Sequence, residues 1–167
     1  RAVKFAARLQ FAIEPKTFDA MIRNRQELAK AAPPRLAEEV IRLSQGGAGA
    51  ESFRLLYELG VLQHIAPSVS AALARANEKA TAAAGAAGLF WRHLEAIDRW
   101  PNGPLDLSRA VALSAVYGPV YRAALEENAQ MAARDPGVLF FNAIRPAISE
   151  RLLSRREADR MKLIYVA

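Results

Sequence analysis

The strongest constraint on how this chain folds is that its apolar residues recur with the spacing of α-helices almost throughout. Val3, Phe5, Ala6 and Leu9, for example, form one broad apolar face of a helix that is predicted to end near Gln10. No run of six or more residues alternates between apolar and polar types as a half-buried strand would, and no Asn-Gly or Asp-Gly pair marks a hairpin. The sequence therefore predicts an all-α fold of about eight to ten helices.

Prolines, glycines and capping residues predict where these helices begin and end. Pro15 can occupy the first position of the second helix, and Gly60 is placed to end a later one. Pro119 falls inside a helical stretch, which it should kink or split. Ser154 and Glu157 have the spacing of a capping box, so the last helix should begin at Ser154 and continue to the end of the chain.

One Ala-rich stretch, residues 68–83, is the best candidate for a boundary within the chain. It divides the sequence into two predicted helical regions, 1–67 and 68–167. Further along, the letters "PNGP" predict a turn, and Asp106 or Ser108 can cap the helix that follows it.

Composition excludes several kinds of site and only modestly favours one partner. The chain has 23 Lys and Arg against 17 Asp and Glu, and the charge of +6 suits a nucleic acid about as well as an ordinary solvated surface. There is no cysteine for a disulfide or a thiolate metal site, and the two histidines, His64 and His93, are predicted to be structural. No apolar run is long enough to span a membrane, and no Gly-rich nucleotide loop or catalytic triad motif is recognisable. We therefore expect a cytoplasmic chain without catalytic or metal-binding residues of its own.

A row of cations is predicted on the first helix. Arg1, Lys4 and Arg8 are spaced by three and four residues, which places them along one side of that helix. Like charges in a row repel one another, so they suit a carboxylate or phosphate partner, although a solvated face explains them equally well.

A ladder of ion pairs is predicted on the helix after Pro33. Arg35 and Glu39 are four residues apart and Glu39 and Arg42 are three apart. The default interpretation of such a ladder is a surface helix stabilised by about 0.3 to 0.5 kcal/mol per pair.

Three more cations gather around the predicted start of the last helix. Arg155, Arg156 and Arg160 lie close together there, and a cation at a helix N-terminus opposes the helix dipole. A nearby phosphate would offset that cost, so these arginines are candidate RNA contacts, although a solvated turn is the more common explanation.

Three stretches, "RAVKFAARLQFAIEP", "PPRLAEEVIRL" and "SFRLLYELGVLQHIAP", occur in an order that resembles the bacterial class II nucleotidyltransferases. That family contains the CCA-adding tRNA nucleotidyltransferases and the poly(A) polymerases, and the resemblance covers about the first 67 residues. Arg1 and Lys4 match the end of the family's nucleotide-binding motif E-D-x-x-R-x-x-R-A-x-[RK]-F, and Arg8 lies further along the same helix. Gln10 stands where the family commonly has glycine.

The resemblance implies roles for these residues. The ladder of Arg35, Glu39 and Arg42 matches the motif R-x-x-x-E-x-x-[KR], which is expected to brace the nucleotide-binding helix. Residues 1–67 would then be a neck that supports the nucleotide site, and residues 68–167 a helical body that binds RNA.

The resemblance also implies what the chain lacks and what it binds. The catalytic β-rich head would lie before Arg1, so the chain should be inactive alone, and Mg²⁺ and ATP are implied only for the intact enzyme. The implied partner is RNA, either tRNA or an mRNA 3′ end, with polyadenylation favoured over CCA addition. The competing hypothesis is a helical protein-interaction module without an RNA role. Arginines clustered on one face would favour RNA, and arginines dispersed among acids would favour the protein scaffold.

Overall fold

A computed structural model describes residues 1–79, 86–100 and 105–166. Within these ranges the chain is all-α, with one 3₁₀ helix and without a β-strand, which confirms the predicted fold class. The described residues contain eleven α-helices, one more than predicted, because residues 129–134 form a short helix of their own after Asn128 leaves the helical conformation. The elements are α1 Ala2–Leu9, α2 Pro15–Asn24, the 3₁₀ helix Arg25–Lys30, α3 Pro33–Ser44, α4 Gly49–Glu58, α5 Leu62–Ile65, α6 Pro67–Lys79, α7 Ala86–Asp98, α8 Leu105–Glu127, α9 Ala129–Arg134, α10 Pro136–Ser149 and α11 Arg155–Tyr165.

The helix boundaries that depend on local chemistry lie where the sequence predicts them. Pro15 is the first residue of α2, and Gly60 follows α4 with the positive φ of 64° that glycine tolerates best. At the start of α11, the Ser154 hydroxyl accepts from the Glu157 N–H at 3.2 Å, and the Ser154 N–H donates to the Glu157 carboxylate at 2.8 Å. This is the predicted capping box. The helix ends at Tyr165 rather than at the chain end.

The long helix α8 runs unbroken through Pro119, so of the two predicted effects, a kink or a split, the split is wrong. Proline removes one helical hydrogen bond, but α8 packs against α3, α6, α7, α10 and α11, and this packing holds the helix together across the defect. The helix already begins at Leu105, so Asp106 and Ser108 lie in its first turn and not before it. The predicted "PNGP" turn lies outside the described residues.

A single hydrophobic core centred on α8 draws residues from both predicted regions of the chain. Phe53 of α4 and Phe90 of α7 are both buried, and their rings meet edge to face with centroids 6.0 Å apart. Phe140 of α10 and Met161 of α11 belong to the same buried cluster. The division of the chain at residue 67 stays a prediction about roles, and part of the Ala-rich stretch proposed as the boundary, residues 80–85, lies outside the described residues.

The first helix turns a different face to the core than its apolar pattern predicts. Val3, Ala6 and Ala7 are buried, and α1 packs on α4. Phe5 and Leu9 belong to the apolar face identified from sequence but are 57% and 53% exposed. The small side chains allow α1 to approach α4 closely and leave the large ones in solvent.

Gln10 ends α1 in the left-handed conformation, with φ 55° and ψ 37°. Its N–H and that of Phe11 both donate to the carbonyl of Ala6. The turn therefore has the geometry that a glycine would adopt more easily, although the residue is glutamine.

Candidate nucleic-acid interface

A groove beside α1 brings together residues from two of the predicted sites. The cavity measures about 670 Å³, and Arg1, Lys4, Glu39 and Arg42 all line it. Its floor is made of apolar residues from α1, α3, α4 and α5. The end of the predicted nucleotide-binding motif and most of the predicted ladder therefore border one groove.

Arg8, the third cation of the row on α1, lies in a different place. It lines a second cavity of about 760 Å³, together with Phe11, Arg54, Glu95 and Asp98. Arg54 donates to Glu95 at 2.5 Å. The three cations of the predicted row therefore border two different cavities.

The second cavity contains a tertiary helix cap that the sequence analysis missed. Asp98, at the end of α7, accepts hydrogen bonds from the N–H groups of Gly49 (2.6 Å) and Ala50 (2.9 Å) at the start of α4. The Asp98 carboxylate accepts from both of these N–H groups, and its negative charge interacts favourably with the positive end of the α4 dipole. The glycine-rich stretch "GGAGA" at residues 46–50 therefore donates two of its N–H groups to a carboxylate of the protein itself, and these two groups are not available to a phosphate.

Only one step of the predicted ladder on α3 is an ion pair. Arg42 donates to Glu39 at 3.4 Å, and both side chains are more than half exposed. No ion pair joins Arg35 to Glu39 in the described structure, where the ion pairs of α3 are those of Glu38 and Glu39. The bracing role that the resemblance assigns to the ladder stays a prediction.

Another arginine connects three helices near this region through ion pairs. Arg109 of α8 donates to Glu38 of α3 at 2.9 Å and to Glu157 of α11 at 2.6 Å. Burial acts to raise the pKa of Glu157, but hydrogen bonds from Ser154 and Arg109 outweigh it and hold that pKa below its usual value. The same carboxylates raise the pKa of Arg109 against the effect of burial. The sequence shows that Glu38 and Glu39 are adjacent but gives no sign of which one faces α8.

The three arginines predicted to bind RNA at α11 are not equally available. The guanidinium of Arg155 stacks 4.2 Å from the ring centroid of Phe141 and lies 3.6 Å from Asp159. Arg160 also interacts within the protein. Arg156 is exposed and forms no ion pair with any described residue.

The arginines of the predicted body differ in whether they are paired with an acid. Among those of the predicted body, Arg75 pairs with Glu127 at 3.0 Å, and Arg109 and Arg155 are paired as described above. Arg92 and Arg122, by contrast, form no ion pair with the described carboxylates and lie near His93. His93 is exposed at the protein surface, and its predicted structural rather than catalytic role stays a prediction.

A metal site and a membrane-spanning helix are both absent from the described residues. Those residues include no group of three or more metal-ligating side chains placed to hold a metal ion. In the same part of the chain, every helix is too short or too polar to cross a membrane.

The first part of the chain is similar to known proteins. Residues 10–73 match the family described as "Probable RNA and SrmB-binding site of polymerase A". Poly(A) polymerase I of Escherichia coli O6:H1 is 39% identical over 70 residues, which is 42% of this chain and 15% of the relative. The protein of the same name from Salmonella typhi is 37% identical over 70 residues, with the same coverage. That from Haemophilus influenzae is 36% identical over 72 residues, or 42% of this chain and 16% of the relative.

The matches cover the N-terminal part of this chain and a small part of each relative. The chain spans less than a fifth of the length of the curated relatives it matches. No solved structure matches it. The matched N-terminal region is poly(A) polymerase-like, which confirms the resemblance and the branch favoured from sequence.

Proposed function

We propose that this poly(A) polymerase-like chain holds RNA and supports the nucleotide pocket of a template-independent enzyme that adds nucleotides to RNA 3′ ends. The observation that carries the proposal is the match of residues 10–73 to an RNA-binding region of polymerase A. Each relative named above is a poly(A) polymerase I, which favours polyadenylation over CCA addition. The proposed partner is RNA in the cytoplasm, either tRNA or an mRNA 3′ end.

Helix α1 is the element proposed to support the nucleotide pocket. Its buried residues are Val3, Ala6 and Ala7, while Phe5 is exposed beside Arg1 and Lys4 and Leu9 is exposed further along the helix. A face that combines apolar and cationic groups suits a neighbouring domain that delivers a nucleotide, because the apolar side chains can pack and the cations can meet phosphate. Glu39 and Arg42 border the same groove and are proposed to position α1 rather than to contact RNA.

The chemistry of nucleotide addition is proposed to reside in another part of the intact enzyme. Mg²⁺ and ATP would supply the metal and the transferred nucleotide there. Among the described residues, no three metal-ligating side chains are placed to hold one ion, so Mg²⁺ does not fit this part of the chain. The 167-residue chain should therefore lack nucleotidyltransferase activity by itself.

One observation favours a different function, a helical protein-interaction module. Phe5, Leu9 and Phe11 are each more than half exposed around one helix and its turn, and exposed apolar groups of this kind are common where another protein binds. This alternative predicts that the chain binds a protein and not RNA.

Binding of labelled RNA to the purified 167-residue chain distinguishes the two functions. Fluorescence anisotropy at low salt should detect binding to a labelled tRNA or a labelled single-stranded RNA. A parallel assay with labelled ATP and an RNA primer should detect no incorporation above a blank. If neither RNA binds, the RNA role is wrong and the protein-interaction module is favoured; incorporation of label would contradict the division of roles.

A further inference from the structure

Another groove, different from the two cavities beside α1, follows α8 on the side where α7 and α11 pack. It lies outside residues 10–73, which match the polymerase family. One part is a cavity of about 420 Å³ lined by Trp100 and Ile164 among others. The other part is a cavity of about 160 Å³ that reaches Arg122. Both cavities share His93 and Tyr165 as lining residues. The two cavities are therefore adjacent, and we name them together the α7–α11 groove.

The larger cavity is apolar but contains one unsatisfied polar group. Trp100 and Ile164 are 46% and 42% exposed, an unusual condition for such large apolar side chains at the rim of a cavity. Ser114 is only 5% exposed, and its hydroxyl has no hydrogen-bond partner in the described structure. The Tyr165 hydroxyl does not satisfy it, because it donates to the Ser114 backbone carbonyl instead. A flat ring in this groove would cover the exposed aromatic surface of Trp100, whereas the Ser114 oxygen is too deeply buried to be reached from it.

The smaller cavity is cationic. Arg122 lines it, Arg92 lies next to it on α7, and both guanidinium groups are exposed and form no ion pair with a described residue. The pKa of His93 lies below its usual value because neighbouring atoms partly desolvate the ring and because Arg122 and Arg92 repel its proton. Three basic groups are therefore close enough to interact.

The carboxylates nearest in sequence do not neutralise this cluster. On α7, Glu95 is bound to Arg54, and Asp98 is bound to the backbone at the start of α4. On α8, Glu126 follows Arg122 by one turn but does not form an ion pair with it. Such a concentration of positive charge without a protein counterion favours a bound anion.

We propose that the α7–α11 groove binds a short stretch of single-stranded RNA, with a base against Trp100 and a phosphate at Arg92 and Arg122. The inference rests on the proposed RNA-binding function and extends it to helices that the family match does not reach. Arg92 lies on α7 and Trp100 follows the end of that helix by two residues, so a short strand that runs along α7 would meet both. The cationic end favours RNA over an apolar peptide as the occupant.

The phosphate contact is tested with the double variant Arg92→Gln/Arg122→Gln. The matched control is Arg134→Gln/Arg145→Gln, which removes the same charge from exposed arginines on α9 and α10 that line neither cavity of the groove. Affinity for a fluorescein-labelled oligo(A) is measured by anisotropy at low salt. The groove variant should bind at least about tenfold more weakly than the wild type, because charge-assisted contacts are lost. The control should differ from the wild type by no more than about threefold.

The base contact is tested by the fluorescence of Trp100. The chain has two tryptophans, so Trp91→Phe leaves Trp100 as the only reporter. Oligo(A) should quench its fluorescence at the same concentrations that raise the anisotropy, because a base stacks on the indole. Ala96 is exposed and lines the larger cavity, so Ala96→Phe should obstruct it, abolish the quenching and weaken binding about tenfold.

Three results would overturn this proposal. One is RNA binding by the groove variants that is as strong as binding by the control, which would place RNA elsewhere and leave the proposed function intact. Another is unchanged Trp100 fluorescence at saturating RNA. The third is a failure of the wild type to bind RNA, which would remove the proposed function as well. Thermal melting of each variant confirms that a loss of binding is not a loss of folding.

Discussion

Asp98 should make the largest contribution of any single carboxylate to joining α7 and α4. Its two oxygens accept from Gly49 and Ala50 at 2.6 and 2.9 Å. Substitution of a capping side chain by alanine costs about 0.5 to 2 kcal/mol, and hydrogen bonds to a charged group contribute about 1.5 to 3 kcal/mol. Asp98 is partly exposed, and water therefore weakens its hydrogen bonds. Asp98→Ala should lower the free energy of unfolding by about 2 kcal/mol, which is less than the capping energy and the two hydrogen-bond energies added together.

The assay is urea and thermal unfolding followed by circular dichroism at the helical band. For a chain of this size, 2 kcal/mol corresponds to a fall in Tm of about 4 to 8 °C. Asp19→Ala is the control, because Asp19 is exposed on α2 and forms no ion pair with a described residue. If Asp98→Ala unfolds within about 0.5 kcal/mol of Asp19→Ala, the tertiary cap does not have the role assigned to it.

A second substitution probes the same contact from the other side. A Cβ atom at Gly49 would lie 3.1 Å from the Asp98 carboxylate and 3.2 Å from the Ser44 carbonyl, so Gly49→Ala should destabilise the chain. Part of that cost should disappear in the Asp98→Ala background, because one of the crowded atoms is gone. Additive effects of the two substitutions would contradict direct contact between these residues.

Three further outcomes are expected from unfolding experiments on single variants. Gln10→Gly should raise the free energy of unfolding by about 0.5 to 1 kcal/mol because glycine relieves the left-handed conformation at φ 55°, whereas Gln10→Ala should not raise it. Arg109→Ala should cost about 2 kcal/mol because it leaves the largely buried Glu157 carboxylate without its cation, while Arg42→Ala, in an exposed pair, should cost less than about 0.5 kcal/mol. The folded-state pKa of Glu157 is lowered, so the stability of the wild type relative to Glu157→Gln should be greatest above pH 4.5 and should diminish as the pH falls through that lowered value. Equal free energies of unfolding for Gln10→Gly and Gln10→Ala, or for Arg109→Ala and Arg42→Ala, would contradict these assignments. So would a stability difference between the wild type and Glu157→Gln that does not change with pH.

The helix boundaries were predictable because their causes are local. A proline at the first position of α2 and a serine three residues before a glutamate at α11 act within one turn of the chain. The resemblance carried by the first 67 residues was also visible in sequence, since it depends on ordered motifs rather than on packing. These features need no knowledge of which elements meet.

The features that sequence did not predict depend on contacts between distant residues. Asp98 and Gly49 are 49 positions apart, and Arg109 and Glu157 are 48 apart, so no local spacing connects them. Phe5 is exposed because α1 uses its small residues against α4, a choice that apolar periodicity alone does not determine. The groove beside His93 likewise exists only once α7 and α11 have packed on α8.

The central claim is that this chain holds RNA through contacts between its arginines and the phosphate backbone. The most direct test is the affinity of the 167-residue chain for oligo(A) at a series of salt concentrations. Phosphate contacts release counterions, so the logarithm of the binding constant should fall linearly with the logarithm of salt, with a slope of about −0.7 for each contact on a single strand. Three to five contacts would give a slope of roughly −2 to −3.5. Absence of binding at low salt, or an affinity that does not change with salt, would contradict the claim.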